Sequence, residues 1–550
     1  MGCLGGTNQG SQGQSERLWL AGVVVLLLGV LMLRPLYGQG APAAQQQAPP
    51  ALPPAMPYSA TERVLELSLE DAIRLAIQNN LDIERDRFAP AIARAEVEKA
   101  RATFDPVTGL DASLGQTKSL PINRVLQFDP ITGAIVGERI STQFLKHGEV
   151  TPSFAQKVIT GANYQIRFVN TRENVAPSRI GSSSRIVDPR YESQIELTFT
   201  QPLLRDFGIS VNTATIRQAQ NSALIAEQQV LQTILNTIFN AQQSYWDLSF
   251  RIQDLAVRRE SQKLAEDFLA ENKARVELGT LAPIELVQAE TSVKTREGDV
   301  ITAESAVRAA EDRFKDVLNL PETLGTWDLR IRPIDTPSFV PITSIPVEEK
   351  VDLALKNRPD YMQSRLDIAS REIARDFARN QRLPRLDFVG QASVGAFGGG
   401  VDESLRDIPD TEGYAWSIGL RFQYPLGNRF ARNELLRRDL ELKQARVEQR
   451  RLLHTIVQQI RQAVRDIETD SKRVEVTRAA TVLARTQLEA EQEKFRLGLS
   501  TSFNVLTFQR DLSTAQSDET QALSDYNVAL ARLDQVTGKI QYAEVMPDNK

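Results

Sequence analysis

Apolar and polar residues alternate along several short stretches of the chain, which is the pattern of a β-strand with one wet face. In residues 191–201 the apolar positions are Tyr191, Ile195, Leu197 and Phe199. In residues 414–424 they are Trp416, Ile418, Leu420, Phe422 and Tyr424. A shorter alternation covers residues 164–168, and residues 386–395 form a further candidate strand. The pattern predicts about four main strands, divided between two regions.

Most of the remaining chain has the spacing of long amphipathic helices. Residues 211–278 contain no proline and no glycine before Gly279, and a helix of that length measures ~100 Å at 1.5 Å per residue. Such a helix needs parallel neighbours in a coiled-coil arrangement to bury its apolar stripe. The other predicted helices are 67–102, 283–320, 347–380, 429–497 and 502–537. Ser68, three residues before Asp71, is the expected N-cap of the first one.

The order of these elements is repeated. LAIQNN at 75–80 returns as LALKNR at 353–358, and the Gln-Pro-Leu corner at 201–203 returns as Tyr-Pro-Leu at 424–426. The spacing between equivalent landmarks falls once along the chain, so the first copy carries about 55 extra residues. This extra segment, near 119–185, is compatible with an extracellular loop or with an added hairpin.

The repeat divides the chain into regions. We expect a signal peptide at 1–40, a Pro/Ala/Gln-rich flexible leader at 41–64 and a first copy at 65–320, with strands near 107–202. An irregular connector at 321–346, a second copy at 347–538 with strands near 386–424, and a C-terminal tail at 539–550 complete the list.

The N-terminal apolar run, residues 18–33, has the form of a secretory signal. Arg17 precedes it, and small residues suited to cleavage follow at 38–44. A transmembrane anchor is the alternative, but the run is short for a hydrocarbon core of ~30 Å. The sequence therefore predicts export from the cytoplasm.

Strands of about ten residues with one apolar and one polar face are typical of membrane β-barrels. A soluble antiparallel sheet with one wet face gives the same alternation, but the export signal favours the membrane. Four strands cannot enclose a water-filled lumen, and an open edge is not tolerated in lipid. Several copies would therefore have to share one barrel.

Composition excludes several function classes. The net charge of −5 and the lack of a basic region argue against a nucleic-acid partner. Cys3 is the only cysteine and lies ahead of the apolar run of the signal peptide, and the only histidines are His147 and His454. We therefore predict no catalytic residues, no metal site and no cofactor, and the chain has no P-loop motif that would supply energy.

The chain resembles the TolC-type outer-membrane efflux proteins over most of residues 65–538. The resemblance is carried by the paired starts EDAIRLAIQNN (70–80) and VDLALKNRPD (351–360), the corners QPLLRDFG (201–208) and YPLGNRF (424–430), and the turns VELGTLAPIELVQAE (276–290) and FRLGLSTSFNVLTFQ (495–509). It implies an α+β homotrimer in the cell outer membrane with a periplasmic extension. Three protomers with about four strands each would share a 12-stranded membrane β-barrel, continuous with a long α-helical periplasmic barrel.

The resemblance also implies a set of functional positions. The candidate periplasmic gate consists of Glu285, Asn504, Thr507 and Ser500. Capping of helix N-termini is the alternative interpretation of Glu285, Asn504 and Ser500. The candidate adaptor-docking turns are Leu278, Gly279, Leu497 and Gly498, and the strand-to-helix corners are Pro202 and Pro425.

The function implied is a passive exit duct in a multi-part efflux or type I secretion system. A periplasmic adaptor protein and an inner-membrane transporter would deliver the substrate, and outer-membrane lipid would surround the barrel. The alternative from another class is a structural coiled-coil envelope protein without a pore. An enzyme is a third reading, for which the chain offers no defensible constellation of catalytic residues.

Overall fold

A computed structural model describes residues 64–119, 124–140, 143–175, 189–320, 327, 329–341, 344–410 and 413–539. The expected signal peptide, almost all of the leader and nearly all of the C-terminal tail lie outside the described residues. The chain divides into two compact units. In the described ranges, a sheet unit is formed by residues 104–203 and 385–423, and a helical unit by the rest.

The sheet unit contains one large antiparallel sheet and one small hairpin. In chain order the strands are β1 (Val64–Leu67), β2 (Val107–Ser119), β3 (Arg124–Phe128), β4 (Ile135–Ile140), β5 (Gln143–Lys157), β6 (Asn163–Val175), β7 (Arg190–Pro202), β8 (Arg330–Pro333), β9 (Arg385–Gly398) and β10 (Tyr414–Gln423). The large sheet has the order β10-β9-β7-β6-β5-β2, and β3 pairs only with β4. β1 and β8 belong to the helical unit and form a two-stranded parallel sheet.

The expectation of about four main strands per chain is wrong, because the large sheet has six. The two additional strands are β5 and β6, which come from the extra segment near 119–185 and form an added hairpin between β2 and β7. The alternation at 164–168 marked only a short part of β6. In the C-terminal half of β6, Asn170 and Arg172 occupy positions in line with the apolar residues. The apolar–polar alternation in the sequence therefore stops halfway along the strand.

The helical unit consists of two pairs of long helices and several shorter ones. In chain order the helices of both units are α1 (Leu69–Asn79), α2 (Leu81–Arg101), α3 (Ile209–Asn212), α4 (Ala214–Glu277), α5 (Pro283–Leu318), α6 (Val347–Asn357), α7 (Pro359–Gln381), α8 (Val401–Arg406), α9 (Arg429–Arg496) and α10 (Ser502–Thr537). The small α8 lies in the sheet unit. None of the helices in the described ranges has the length and apolar content needed to cross a bilayer.

The long helices match their predicted bounds within a few residues, but two of the shorter predictions are wrong. Each copy has two helices where one was expected. Asn80 is extended and its side chain accepts the Ile83 amide at 3.0 Å, so it ends α1 and caps α2. Arg358 is extended because Pro359 follows it. Ser68 caps α1 through the Asp71 amide at 3.1 Å, as predicted.

The described part of the predicted connector at 321–346 contains a strand, β8, that was not expected. This strand pairs in parallel with β1, Ile331 opposite Leu65. The Tyr245 hydroxyl of α4 lies 3.1 Å from the Leu67 carbonyl and 2.9 Å from the Asp335 carboxylate, and Asp335 also accepts the Leu69 amide at 2.6 Å. Burial raises the pKa of Tyr245, so the phenol remains a donor at physiological pH.

Three apolar clusters hold the helical unit together. The first surrounds Ile73, Tyr245 and Phe314 and the second surrounds Ile460 and Tyr526, so each copy contributes its own core. A third cluster, described below, lies near the ends of the long helices. Burying each large side chain of this kind stabilises the fold by about 1.5–3 kcal/mol.

The contacts of Tyr245 generate a stability prediction. Tyr245→Phe leaves the buried Leu67 carbonyl and the Asp335 carboxylate without this donor, which costs roughly 1–3 kcal/mol. Denaturant unfolding followed by tryptophan fluorescence, to which Trp246 with its ring 5.2 Å from the Tyr245 ring contributes, measures the loss. Tyr526→Phe is the matched control. Its hydroxyl donates to the carbonyl of the exposed Val340, where water can take its place, so an equal loss in both variants contradicts the prediction.

Candidate functional site

Two equivalent turns end the long helices of the two copies, and we call Leu278–Gly279 and Leu497–Gly498 the paired turns. Gly279 and Gly498 have φ values of 73° and 75°, in the left-handed region that glycine enters without strain. In the first turn the Thr280 amide donates to the Arg275 carbonyl at 2.9 Å and the Gly279 amide to Val276 at 2.9 Å. This pair of backbone hydrogen bonds is a Schellman motif.

The second turn has the same geometry. The Leu499 amide donates to the Lys494 carbonyl at 2.8 Å and the Gly498 amide donates to Phe495 at 3.1 Å. The paired turns are therefore helix C-caps by construction, whatever other role they have. Substituting either glycine by a residue with a Cβ strains this backbone.

Apolar side chains stand in solvent at the paired turns. Leu278 is 78% exposed, Leu497 is 72% exposed and Leu499 is 75% exposed. Ile284 and Phe503, in the first turns of α5 and α10, are exposed as well. Clustered exposed apolar residues of this kind are typical of a surface that binds a partner.

A compact core lies beneath the paired turns and fixes their positions. The Phe268 and Phe495 ring centroids are 5.1 Å apart, and the Arg275 guanidinium covers the Phe495 ring at 4.9 Å. Val505 is fully buried in the same cluster. Helices of both copies contribute to this core, so the two turns are held as one structure within the helical unit.

Glu285 caps a helix of the other copy. It lies in the first turn of α5, and its Oε2 accepts the Ser502 amide, at the start of α10, at 3.1 Å. The Asn272 side chain of α4 donates to the Ser502 hydroxyl at 2.9 Å, and both residues are fully buried. Capping was predicted for Glu285 only within its own helix, and no local pattern indicates this contact between the two copies.

Ser500 and Asn504 belong to a different network. The Ser500 hydroxyl donates to Glu491 of α9, which also accepts Lys494 at 3.1 Å, and the Asn504 amide donates to Ser500 at 3.2 Å. Hydrogen bonds from Ser500 and then from Lys494 hold the pKa of Glu491 below its usual value. Thr507 takes no part, since its hydroxyl donates to the Phe503 carbonyl at 2.8 Å.

The structure thus brings Ser500 and Asn504 together, with Glu285 on the neighbouring Ser502 amide and Thr507 apart. Sequence reasoning missed Glu491 and Asn272. These two stand 219 residues apart, the same spacing that separates Gly279 from Gly498, so they are equivalent positions of the two copies. Comparing the copies position by position near the turns would have found them.

Arg296 is a further buried polar residue near this site. Its guanidinium donates to the carbonyl and the hydroxyl of Ser261 in α4 and to the Leu506 carbonyl of α10 at 3.1 Å. Burial lowers the pKa of Arg296. This side chain therefore ties three helices, two from the first copy and one from the second.

The two corner prolines occupy the predicted places in the chain. Pro202 is the last residue of β7 and is buried in the sheet unit. Pro425 follows β10, and its carbonyl accepts the Asn428 amide at 3.1 Å in the turn before α9. Within the described ranges, no group of three or more His, Cys, Asp or Glu residues is placed to hold a metal ion.

Comparisons with known proteins agree with this architecture. Residues 351–539, nearly the whole second copy, match the family model described as outer membrane efflux protein. The outer membrane protein TolC of Vibrio cholerae serotype O1 is 22% identical over 64% of this chain and 78% of its own length. The outer membrane efflux protein BepC of Brucella suis biovar 1 is 23% identical over 59% of this chain and 69% of its own.

The fold is also found among solved structures. The outer membrane protein VceC from Vibrio cholerae superposes with a TM-score of 0.59 at 16% identity, covering 86% of this chain and 96% of VceC. The predicted resemblance to the TolC-type outer-membrane efflux family is therefore confirmed. The predicted location, the cell outer membrane with a periplasmic extension, is confirmed with it.

The Glu491 network generates a pH prediction. The pKa of Glu491 is lower in the folded protein than its unfolded value of 4.5. The carboxylate therefore contributes fully to the stability of the folded turn above pH 4.5, and this contribution is lost as the pH falls through the lower folded pKa. We expect the amides of residues 497–500 to lose protection from hydrogen exchange in that acid range. Exchange measured by mass spectrometry, corrected for the intrinsic pH dependence, checks this.

The control for that measurement is in the chain itself. The turn at Gly279 has Asn272 at the equivalent position, so it lacks this titrating group. Glu491→Gln should remove the acid-dependent loss at residues 497–500. A loss that persists in Glu491→Gln would assign the effect to another group.

Proposed function

We propose that three copies of this chain form a passive exit duct of a multi-part efflux or type I secretion system. The observation that carries the proposal is the large sheet, whose register puts apolar side chains of all six strands on one face. Across its centre, Ile166 lies opposite Leu197, Leu197 opposite Ala392, and Ala392 opposite Trp416. An apolar face of this kind suits lipid, and the opposite polar face suits a water-filled lumen.

The partners follow from the paired turns and from what the chain lacks. A periplasmic adaptor protein would cover the exposed Leu278, Leu497 and Leu499, with the glycines allowing close approach of its helices. An inner-membrane transporter would supply the energy, because a duct of this kind moves nothing by itself. The chain is then not an enzyme, and substrate choice rests with the transporter.

Of the predicted gate residues Glu285, Asn504, Thr507 and Ser500, we retain Glu285 as the centre of the gate hypothesis, and we add Arg296. Glu285 and Arg296 each join a helix of the first copy to α10 of the second. Any movement of one helix pair past the other must therefore break these hydrogen bonds or carry them along. We infer that these hydrogen bonds hold the paired turns in the closed arrangement. We also infer that the Glu285 side chains of the three protomers form a ring that attracts cations.

The alternative is a structural coiled-coil envelope protein without a pore. It accounts for α4 and α9 but leaves the two-faced sheet without a purpose. A spacer has no use for an apolar sheet face on which Ile418 and Leu420 are both about two-thirds exposed.

The experiment that separates these functions combines mass and conductance. Light scattering of the protein extracted in detergent from outer membranes should give a trimer, and the same material should form ion-conducting pores in planar bilayers. A monomer recovered only from the soluble periplasmic fraction would favour the structural reading. A trimer that never conducts, even without divalent cations, would also contradict the duct.

A charge change at Glu285 tests the gate. Glu285→Lys should weaken block of the pore by multivalent cations at least tenfold, because a ring of three positive charges repels them. Glu285→Gln separates the gate from the cap, since the amide oxygen can still accept the Ser502 amide but carries no charge. Titration of single-channel current with the cation gives the block constant.

The control is Glu290→Lys, an exposed position one helical turn and a half further along α5. It changes the net charge by the same amount and should leave the block within about twofold. Unchanged block in both Glu285 variants would remove this residue from the gate and leave it a helix cap.

A further inference from the structure

The hairpin β5–β6 is a full part of the large sheet. β2 pairs with β5 along its whole length, from Val107 opposite Ala155 to Ser119 opposite Gln143. β6 pairs with β7 over most of its length, from Asn163 opposite Thr200 to Glu173 opposite Arg190. The strands β2, β5, β6 and β7 therefore follow one another as an up-and-down meander.

The hairpin also follows the two-faced pattern of the rest of the sheet. Opposite residues of neighbouring strands point to the same face, and Phe154 of β5 lies opposite Ile166 of β6, which lies opposite Leu197 of β7. The apolar side chains that the hairpin adds to this face are Val150, Pro152, Phe154, Tyr164, Ile166 and Phe168. An extracellular loop has no need of an apolar face that continues the one on β7.

Around the centre of the hairpin, polar residues lie mostly on the other face, whereas Asn170 and Arg172 further along β6 are in line with the apolar positions. Arg167 of β6 and Glu196 of β7 are opposite each other and form an ion pair at 3.4 Å. Thr151, Ser153 and Gln165 stand on the same side. The hairpin therefore has the lipid-facing and lumen-facing sides that a barrel strand requires.

The two ends of the sheet complement each other. β2 and β10 are the edge strands, and every residue of β10 is exposed, as are residues 107–117 of β2. Because the sheet has six antiparallel strands, the two edges run in opposite directions. The β2 edge of one protomer can therefore pair antiparallel with the β10 edge of the next protomer. An edge left unpaired is not tolerated in lipid.

We propose that the shared barrel has 18 strands, six from each of three copies, with β5 and β6 inside the membrane. This inference rests on the trimer of the proposed function. Barrel diameter grows roughly linearly with strand number, so this barrel is about one and a half times as wide as the 12-stranded barrel that the family resemblance implied. The wide lumen admits bulkier hydrated cargo at the outer membrane.

Cysteine labelling on β6 tests the placement of the hairpin. The only natural cysteine, Cys3, is first replaced by serine. A water-soluble maleimide that does not cross membranes should label Gln165→Cys and Arg167→Cys in outer membranes and spare Ile166→Cys and Phe168→Cys. The matched pair on β7, Leu197→Cys and Thr198→Cys, should be spared and labelled in the same way.

The outcomes separate the two proposals. Labelling of all four β6 positions with normal alternation on β7 would place the hairpin outside the barrel, which overturns the 18-stranded reading and leaves the duct intact. Labelling of both β7 positions as well would mean that this sheet does not lie in lipid, and both proposals would fall.

A deletion measures the width directly. Removing residues 120–175 deletes the hairpin and preserves the antiparallel order of β2 and β7, so electron microscopy should show a trimer whose barrel is about two-thirds as wide as in the full chain. Removing only 124–140, which form the separate β3–β4 hairpin, is the control and should leave the width unchanged. Equal widths in the full chain and both deletions, all trimeric, would contradict the proposal.

Disulfide formation tests the edge pairing. Ser417→Cys on β10 is combined in turn with a cysteine at each odd-numbered position from 109 to 117, on the polar face of β2. Because these strands are at opposite edges of one sheet, a disulfide joins two copies, and at least one pair should give covalent dimers and trimers. Trimeric protein that forms no covalent species with any pair would contradict this junction.

Discussion

The satisfaction of backbone hydrogen bonds in lipid is the constraint on which the rest of this structure depends. Water is absent from the hydrocarbon core, so an N–H or C=O group left unpaired there costs several kcal/mol. The large sheet presents two such edges, on β2 and β10. A chain that resides in the outer membrane must close these edges against something, and a further copy of the same sheet offers the matching backbone. The strand number, the apolar face and the trimer of the proposed function all answer this one requirement.

The helical unit has to meet a different requirement, the burial of the apolar stripes of its long helices. A helix of 64 or 68 residues cannot bury its apolar stripe against its own chain neighbours, so it must pack along other helices. The sequence keeps proline and glycine out of α4 and α9 and places glycine just after their ends. Gly279 and Gly498 then reverse the chain in Schellman turns that satisfy the last carbonyls. The same pattern in both copies gives each long helix a returning partner.

The sequence predicted the long elements well, but it predicted the contacts between the two internal repeats poorly. Periodicity over many residues identified α4, α5, α9 and α10 almost to the residue, because every turn of such a helix repeats the same signal. For the segment that forms the hairpin β5–β6, the sequence left open an extracellular loop or an added hairpin. The reason is that the C-terminal half of β6 has polar residues at positions in line with its apolar ones. The breaks at Asn80 and at Arg358 have local signals, an N-cap residue and a following proline. The pairing of β1 with β8 and the contacts of Arg296 join distant parts of the chain, and no local pattern encodes them.

The paired turns of the two copies keep one geometry but differ in the hydrogen bonds around them. Asn272 and Glu491 are equivalent, yet the first binds Ser502 of the other copy and the second binds Ser500 and Lys494 beside its own turn. Glu285 likewise serves the start of α10. A carboxylate has about four lone-pair sites, and the Ser502 amide takes one of them. Capping and cation attraction at Glu285 are therefore compatible: the amide fixes the direction of the carboxylate, and the remaining lone pairs and the negative charge stay available to a cation at the turns.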